Sequence, residues 1–151
     1  MSAKPNRSTL SELTHQNINM FKVVVKNAEG TPRTQAYYDD LLKIRPFCQI
    51  AYCGDVPASV LFSRPITTDS TTQVVIEELC TLPPFRRLGL GRELITYLKN
   101  DLMSKKENVQ ALSVSVSSSN EGAIAFFKAL EFVEDSDASA DGKIVLKYLR
   151  K

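Results

Sequence analysis

The chain has 151 residues, of which 43% are hydrophobic and 24% charged, and its formal net charge is +2. These values exclude a disordered chain, and the length predicts one domain over residues 1–151, with residues 1–8 flexible. Apolar runs fall short of the ~18 residues of a membrane span, and no basic run indicates sequence-specific nucleic-acid binding. The cysteines lack metal-ligand spacing and are expected to be reduced core thiols of a cytoplasmic protein without a metal (Cys48, Cys53 and Cys80).

Hydrophobic periodicity and turn residues predict six strands and four helices. In chain order they are a strand (residues 9–13), a helix from a Thr14 cap to Gly30, a helix (34–44), two hairpin strands (47–53 and 58–63), a strand (74–82), a helix (92–105), a strand (111–117), a helix (121–130) and a strand (143–149). Residues 67–73 are predicted as a polar loop, and residues 135–142 as an acidic turn. The order is β-α-α-β-β-β-α-β-α-β, which predicts an α/β fold.

A phosphate-binding loop is predicted between the fourth strand and the third helix. Two glycines, Gly89 and Gly91, let successive backbone N–H groups turn inward, and the helix that follows directs its positive end to the same place. Arg86, Arg87 and Arg92 add forked donors suited to phosphate oxygens. The loop therefore predicts a pyrophosphate site.

Two common phosphate-binding motifs do not fit this loop. A nucleoside-triphosphate loop ends in Gly-Lys-Ser/Thr, whereas Gly91 is followed by Arg92 and Glu93. A dinucleotide fingerprint requires a third glycine where Leu94 stands.

The loop instead resembles the acetyl-CoA signature of the GNAT acetyltransferase superfamily, Arg-x-x-Gly-x-Gly, over residues 86–91. Residues 118–132 are similar to a second segment of that superfamily, Asn-x-x-Ala-x-x-Phe-Tyr-x-x-x-Gly-Phe. The resemblance implies a single-domain GNAT fold, in which a mixed, mostly antiparallel sheet splays between strands 4 and 5 and four helices flank it.

Within that superfamily, the chain resembles the NatE type of N-terminal acetyltransferase. The likeness covers residues 10–130 and is carried by residues 14–18, 37–42, 50–57 and 84–89. It implies acetylation of nascent protein N-termini, at the ribosome and in association with the NatA complex, whose large auxiliary subunit consists of helical repeats.

The same resemblance implies acetyl-CoA as the cosubstrate, with its pantetheine arm paired as a pseudo-strand with the backbone of residues 79–82. The cofactor-binding residues that it implies are Leu79, Cys80, Thr81, Leu82, Arg86, Arg87, Leu88, Gly89, Leu90, Gly91, Arg92, Asn120, Ala123 and Phe127.

The proton-handling positions depart from the NatE pattern. Val75 stands where the family has a Tyr base, Ser115 where it has a His, and Phe127 where a Tyr serves as the acid of the leaving thiol. The two segments that line the acceptor site depart as well, because residues 29–33 lack Phe-Pro-Val-x-Tyr and residues 135–142 lack a tyrosine pair. The choice of acceptor peptide is therefore not implied.

Glu77 is the candidate catalytic base of the chain itself. It lies two residues after Val75 and so shares its strand face, although strand acids near basic loops also serve as ion-pair partners. Glu78 points to the other face unless a bulge intervenes. Helical spacing turns Tyr37 and Tyr38 to different faces, so packing is the expected role of at least one.

Three functions remain open. The first is a NatE-type N-terminal acetyltransferase of low turnover that uses Glu77 or ordered water as its base. The second is an inert or weak regulatory subunit that binds acetyl-CoA within a NatA-like complex. The third is a separate GNAT enzyme that acts on a small amine or on lysine.

Overall fold

A computed structural model describes residues 8–29, 33–43, 47–136 and 139–150. In these ranges the strands are β1 (Ser8–Glu12), β2 (Cys48–Cys53), β3 (Val56–Thr68), β4 (Thr71–Thr81), β5 (Val109–Ser117), β6 (Val133–Glu134) and β7 (Lys143–Leu149). The helices are α1 (Ile18–Glu29), α2 (Gln35–Lys43), α3 (Leu90–Thr96), α4 (Met103–Lys105) and α5 (Glu121–Ala129). A π-helical segment, Tyr97–Leu102, joins α3 to α4, so that the predicted third helix is one continuous helix that begins two residues earlier than expected.

The strands follow the order β1-β2-β3-β4-β5-β7-β6 in a mixed sheet. β4 pairs with β5 in parallel, whereas β1 with β2, β2 with β3, β5 with β7 and β6 with β7 pair in antiparallel orientation. The parallel register runs from Thr72 opposite Val109 to Ile76 opposite Val114. This is the predicted mixed α/β sheet flanked by four helices, with the short β6 as a strand that the sequence pattern did not predict.

The chain forms two compact units, and β3 and β4 contribute to both. The first lies within Met1–Ser63 and Glu78–Tyr97, and the second within Arg64–Glu77 and Leu98–Lys151. Of the residues expected to be flexible, residues 1–7 lie outside the described ranges, and Ser8 is the first residue of β1. Residues 30–32 and 44–46, where the breaks after the first two helices were predicted, also lie outside them.

The i, i+3 and i+4 spacing of Ile18, Phe21, Val24 and Val25 predicts a buried stripe on α1, and the core of the first unit confirms it. Its buried residues come from α1, α2 and one face of the sheet, and they include Phe21, Val24, Val25, Tyr38, Leu41, Cys48, Ile50, Val60, Phe62 and Cys80. Burial of side chains of this size contributes about 1.5–3 kcal/mol each. This core therefore holds α1 and α2 on the face of the sheet to which Cys80 of β4 contributes.

The predicted Thr14 cap lies one helical turn before the first residue of α1. The Asn17 carbonyl accepts from the N–H groups of Met20 and Phe21, so α1 begins at Ile18. Thr14 instead forms a reciprocal pair with Asn17: the Thr14 N–H donates to Asn17 Oδ1 at 2.7 Å, and the Asn17 N–H donates to Thr14 Oγ1 at 3.2 Å. The threonine therefore stabilises the turn that precedes the helix.

The polar loop predicted over residues 67–73 is also wrong. β3 continues to Thr68 and β4 begins at Thr71, so the turn consists of Asp69 and Ser70, both with positive φ (49° and 66°). Threonine is polar but β-branched, and strands accept it readily. The run of hydroxyl groups therefore extends the hairpin.

The C-terminal end of α5 has the hydrogen bonds of a Schellman motif. The Phe132 N–H donates to the Phe127 carbonyl and the Glu131 N–H to the Lys128 carbonyl, both at 3.0 Å. Glu131 adopts φ 74°, a left-handed conformation that favours glycine. Lys99 Nζ donates to Glu131 Oε1 at 3.1 Å, but the glutamate side chain is 58% exposed, so this ion pair is weak.

We expect Glu131→Gly to raise the free energy of unfolding by about 0.5 kcal/mol, because relief of left-handed strain exceeds the loss of an exposed ion pair. Glu131→Ala loses the ion pair and keeps the strain, so it should lower that free energy. Urea unfolding of the two variants and the wild type measures both effects. A glycine variant no more stable than the alanine variant would contradict the assignment.

Candidate active site

The predicted phosphate loop begins where β4 ends. A 3₁₀ turn, Pro83–Phe85, leads to a loop in which Arg87 and Gly89 both have left-handed backbones, with φ 69° and 83°. Alternating left-handed residues turn successive N–H groups to one side of the chain, which forms a concavity suited to anions. α3 begins directly after Gly89, and the Glu93 N–H donates to the Gly89 carbonyl at 3.0 Å.

Gly89 has the space and the conformation that such a loop requires. A Cβ atom built on Gly89 meets no atom within 4 Å, so the glycine is required by its φ of +83° and not by crowding. The three predicted arginines, Arg86, Arg87 and Arg92, are all exposed at this end of the unit. The loop therefore fits a pyrophosphate group, which needs N–H donors, positive charge and open access.

Arg86 has a second contact that the sequence pattern did not predict. Its Nε donates to the Thr81 carbonyl at 3.0 Å, and its backbone N–H donates to the Pro83 carbonyl at 3.3 Å. Arg86 thus closes the 3₁₀ turn onto the end of β4. Since the terminal guanidinium nitrogens lie beyond Nε, the same side chain can fix the loop and face an anion.

Residues 79–82 are held along β3. The Leu82 N–H donates to the Ala58 carbonyl at 2.8 Å, and the Ser59 hydroxyl donates to the Cys80 carbonyl at 2.9 Å. The Ser59 hydroxyl also lies 2.7 Å from Thr81 Oγ1. These bonds fix the position of the backbone that leads into the phosphate loop.

Glu77 and Glu78 point to opposite faces of β4. Glu77 accepts from Arg64 Nε on β3 at 2.8 Å, and both side chains are 39% exposed. Glu78 contacts Arg33 and Tyr37 instead, and its side chain is 9% exposed. Glu77 thus has the surface ion pair that is the alternative to a catalytic role.

Glu78 lies at the centre of a part-buried polar cluster. Arg33 Nη2 donates to Glu78 Oε1 at 3.0 Å and to Oε2 at 3.2 Å, and the Tyr37 hydroxyl donates to Oε1 at 2.8 Å. The Arg33 guanidinium also lies 5.6 Å from the centre of the Tyr37 ring. We call Arg33, Tyr37 and Glu78 the Glu78 cluster.

The electrostatics of the Glu78 cluster keep its two donors protonated. Burial, and then the charge of Glu78, raise the pKa of the Tyr37 hydroxyl above its ordinary value of 10.0. The hydrogen bond to Glu78 is the main cause that raises the pKa of Arg33. The cluster therefore holds one carboxylate, one guanidinium and one neutral phenol.

Tyr37 and Tyr38 face different sides of α2, as predicted. Tyr38 is buried in the core and packs edge-to-face on Phe21, with ring centres 6.3 Å apart. Tyr37 packs edge-to-face on Phe62 at 5.5 Å and directs its hydroxyl to Glu78. Helical spacing predicted the different faces, but not the acid that Tyr37 contacts.

The positions of the family's proton-handling residues carry no titratable group in this chain. Val75 is half-buried and pairs with Ser113, whereas Ser115 is exposed and pairs with Val145 across to β7. Phe127 is buried in the second unit, with ring centres 5.0 Å from Phe126 and 5.2 Å from Phe132.

The second predicted cofactor segment orders the start of α5. Asn120 Oδ1 accepts from the Ala123 N–H at 3.1 Å, so Asn120 is the N-cap of the helix. Phe127 belongs to an aromatic cluster, so Asn120, Ala123 and Phe127 all have a structural role within the second unit. Their contribution to cofactor binding stays a prediction.

Sequence reasoning did not single out Arg33 and Glu78 as a pair. Arg33 precedes Glu78 by 45 residues, and Tyr37 precedes it by 41. The sequence signal that could have singled out Glu78 is the alternation of side chains along β4, which places Glu78 on the same face as the core residue Cys80. A buried acid needs a partner, but its position in the chain does not say which residue provides it.

Two further observations concern the described residues. They contain no group of three or more His, Cys, Asp or Glu side chains that could hold a metal ion. Within the same ranges, no helix is long and apolar enough to cross a membrane.

Comparison with known proteins identifies the family. Residues 14–132 match the model of the acetyltransferase (GNAT) family. This match covers most of the chain and includes the phosphate loop and α5. The chain therefore belongs to the GNAT family of acetyltransferases.

Relatives in sequence and structure carry N-acetyltransferase names. The chain is 26% identical over 150 residues to the probable N-acetyltransferase san of Drosophila melanogaster. The aligned region covers 94% of this chain and 81% of that protein. It is 25% identical over 126 residues to N-alpha-acetyltransferase 50 of Danio rerio, with 83% and 74% covered. Arabidopsis thaliana Naa50, solved with the bisubstrate analogue CoA-Ac-MVNAL, superposes with a TM-score of 0.78 at 21% identity over 93% of this chain and 97% of that one.

We expect the free energy of unfolding to fall as the pH rises above about 10. The pKa values of Tyr37, Tyr38 and Tyr52 are raised in the folded chain, chiefly by burial, so these hydroxyls ionise first in the unfolded chain. The stabilisation is complete below the ordinary pKa of 10.0 and is lost above it, by up to about 1.4 kcal/mol per pH unit for each tyrosine. Urea unfolding between pH 8 and about 11.5 measures the slope.

Tyr37→Phe removes one of these three groups and should flatten the fall in stability above pH 10. Tyr52→Phe removes a tyrosine outside the Glu78 cluster whose pKa is raised by burial, so it should also flatten the fall. A Tyr37→Phe slope equal to that of the wild type would contradict the raised pKa of Tyr37.

Proposed function

We propose that this chain is an acetyl-CoA-dependent N-alpha-acetyltransferase of the NatE type that acts on protein N-termini. The phosphate loop carries this proposal, because its left-handed Gly89, its N–H concavity and its exposed arginines form a pyrophosphate site in a member of the GNAT family. The N-acetyltransferase names of the fly and zebrafish relatives support the acceptor class.

In this proposal the first unit binds the acetyl donor. Residues 86–92 hold the pyrophosphate, and the backbone of residues 79–82 holds the pantetheine arm. Acetyl-CoA supplies an acetyl group activated as a thioester. Arg86 has two functions, since its Nε fixes the turn on Thr81 while the end of the guanidinium faces the phosphate. Asn120, Ala123 and Phe127 are proposed as further cofactor contacts from the second unit.

The acceptor must lose a proton before its amine can attack, and this is where the chain departs from its family. Val75 and Ser115 supply no base, so Glu77 or an ordered water remains the proposed proton acceptor. Glu77 Oε1 already accepts from Arg64 Nε at 2.8 Å, so this oxygen is engaged in a surface ion pair. We therefore propose an enzyme of low turnover.

A specific observation favours an alternative function. A subunit that binds acetyl-CoA without efficient transfer would keep the phosphate loop and could carry hydrocarbon side chains such as Val75 and Phe127 at the proton-handling positions. Such a subunit would act in the cytoplasm within a NatA-like, ribosome-associated complex, as the resemblance to the NatE type implies. A separate GNAT enzyme for a small amine or lysine is the second alternative.

The deciding experiment measures release of CoA from acetyl-CoA in the presence of a pool of Met-starting peptides, with mass spectrometry of the products. Peptide-dependent release with acetylation of the α-amine would support the proposed enzyme. Folded protein that binds acetyl-CoA and releases none would support the regulatory subunit, and acetylation of lysine side chains alone would support the second alternative.

We expect Gly89→Glu to abolish acetyl-CoA binding, because it places a side chain and a negative charge in the phosphate concavity. Gly54→Glu is the matched control, since Gly54 also has a positive φ (63°) and open space around its Cβ position in the first unit. Both variants carry a similar left-handed strain of about 1–2 kcal/mol. Calorimetric titration with acetyl-CoA separates them, and equal affinities would refute the phosphate loop.

We expect Val75→Tyr combined with Ser115→His to raise turnover by at least about tenfold, because it restores proton-handling groups at the family's positions. Val75→Phe with Ser115→Ala is the control that adds bulk without a titratable group. The initial rate of CoA release measures the effect. An active wild type that gains nothing would mean that the chain uses a different base.

A further inference from the structure

Glu78 is a part-buried carboxylate that the proposed reaction does not yet use. Its side chain is 9% exposed, and a carboxylate in such a place is stable only with a cation and hydrogen-bond donors beside it. Arg33 supplies the cation and two hydrogen bonds, and Tyr37 supplies a third. A carboxylate has about four acceptor positions, so these three bonds leave space for about one more.

The two partners of Glu78 are held with different firmness. Tyr37 is part of α2 and is packed edge-to-face against both Tyr38, at 5.0 Å, and Phe62, at 5.5 Å. Arg33 precedes α2 in the connection between the first two helices, and its side chain is 29% exposed. The phenol is therefore a fixed donor, whereas the guanidinium is the partner that solvent reaches.

If a bound cation displaced the Arg33 guanidinium from Glu78, the net charge of this site would stay unchanged. A guanidinium that moves into solvent regains its hydration, and an ammonium that takes its place restores the neutral pair with Glu78. An ammonium group has three donors, which suits the two carboxylate oxygens. Removal of Arg33 without such a replacement would leave an uncompensated buried charge.

Glu78 also lies beside the segment proposed to bind the acetyl donor. It directly precedes residues 79–82 on β4, and all of these residues belong to the first unit together with Arg33 and Tyr37. The side chain of Glu78 points to the face that α1 and α2 cover, and Glu77 points to the opposite face. An amine held at Glu78 would therefore lie on the face opposite Glu77, so the ordered water of the proposed function, and not Glu77, would take its proton.

We propose that Glu78 and Tyr37 form a binding site for a primary ammonium group, which Arg33 and the acceptor amine occupy in turn. The identification of that amine as the acetyl acceptor rests on the proposed function. In this arrangement Glu78 and Tyr37 position the acceptor, and Arg33 acts as an internal competitor that sets its apparent affinity.

The test measures peptide binding in the presence of CoA, which carries no acetyl group to transfer. The probe is a Met-starting pentapeptide with a free α-ammonium, and its N-acetylated twin is the control ligand. Calorimetric titration compares the wild type with Arg33→Gln, Glu78→Gln and Tyr37→Phe. Asp40→Asn is the matched control variant, because Asp40 is an exposed carboxylate on the same helix as Tyr37.

We expect Arg33→Gln to bind the free-amine peptide at least about threefold more tightly, since removal of a competitor raises the fraction of competent sites. Glu78→Gln should bind this peptide at least about tenfold more weakly, and Tyr37→Phe should lower the affinity by a smaller factor. Asp40→Asn should equal the wild type, and the N-acetylated peptide should not distinguish the variants. A structural ion pair alone would make Arg33→Gln less stable to urea without any gain in peptide affinity.

Equal affinity of the wild type and Glu78→Gln for the free-amine peptide, or no binding by any variant, would overturn the ammonium site. Acetylation assays with acetyl-CoA separate this result from failure of the proposed function. Acetylation with an unchanged KM in Glu78→Gln keeps the function and overturns the site. Glu78-dependent binding without acetylation by any variant keeps the site and overturns the enzymatic function.

Discussion

The alternation of side chains along β4 is the constraint on which the rest of the functional structure depends. Because α1 and α2 cover one face of this strand, Cys80 is buried in their core and Glu78 is enclosed with it. The opposite parity leaves Glu77 in an exposed pair with Arg64. Two neighbouring glutamates therefore have different environments: Glu77 has an exposed pair with Arg64, whereas two donor residues, Arg33 and Tyr37, hold the part-buried Glu78.

The phosphate loop depends on how that strand ends. β3 holds the backbone of residues 79–82 through Ala58 and Ser59, and Arg86 then ties the 3₁₀ turn back to Thr81. The left-handed Gly89 completes the change of direction into α3. Rigid positioning of donors before the ligand arrives is what makes such a loop effective, because no binding energy is spent on ordering it.

In the proposed function, the chain combines a donor-binding loop with an altered set of proton-handling residues. A GNAT enzyme that has lost its usual base can still bring two substrates together, and positioning alone supplies a large part of the rate of a two-substrate reaction. The ammonium site proposed at the Glu78 cluster would position an amine without the family's tyrosine and histidine. Low turnover and regulated acceptor access are thus compatible properties of one site.

The sequence by itself determined the α/β order of elements, the stripe of α1 that includes Phe21, the phosphate loop and the GNAT family, because each depends on local periodicity or on spacing within a short segment. Local pattern failed at the hairpin turn of Asp69 and Ser70, where cross-strand pairing outweighed polarity. Tertiary structure alone decided that Arg33 and Tyr37 meet Glu78, more than 40 residues along the chain. The physical reason is that a buried charge selects its partner by three-dimensional proximity, which depends on how α2 packs on the sheet and is not encoded in any short segment.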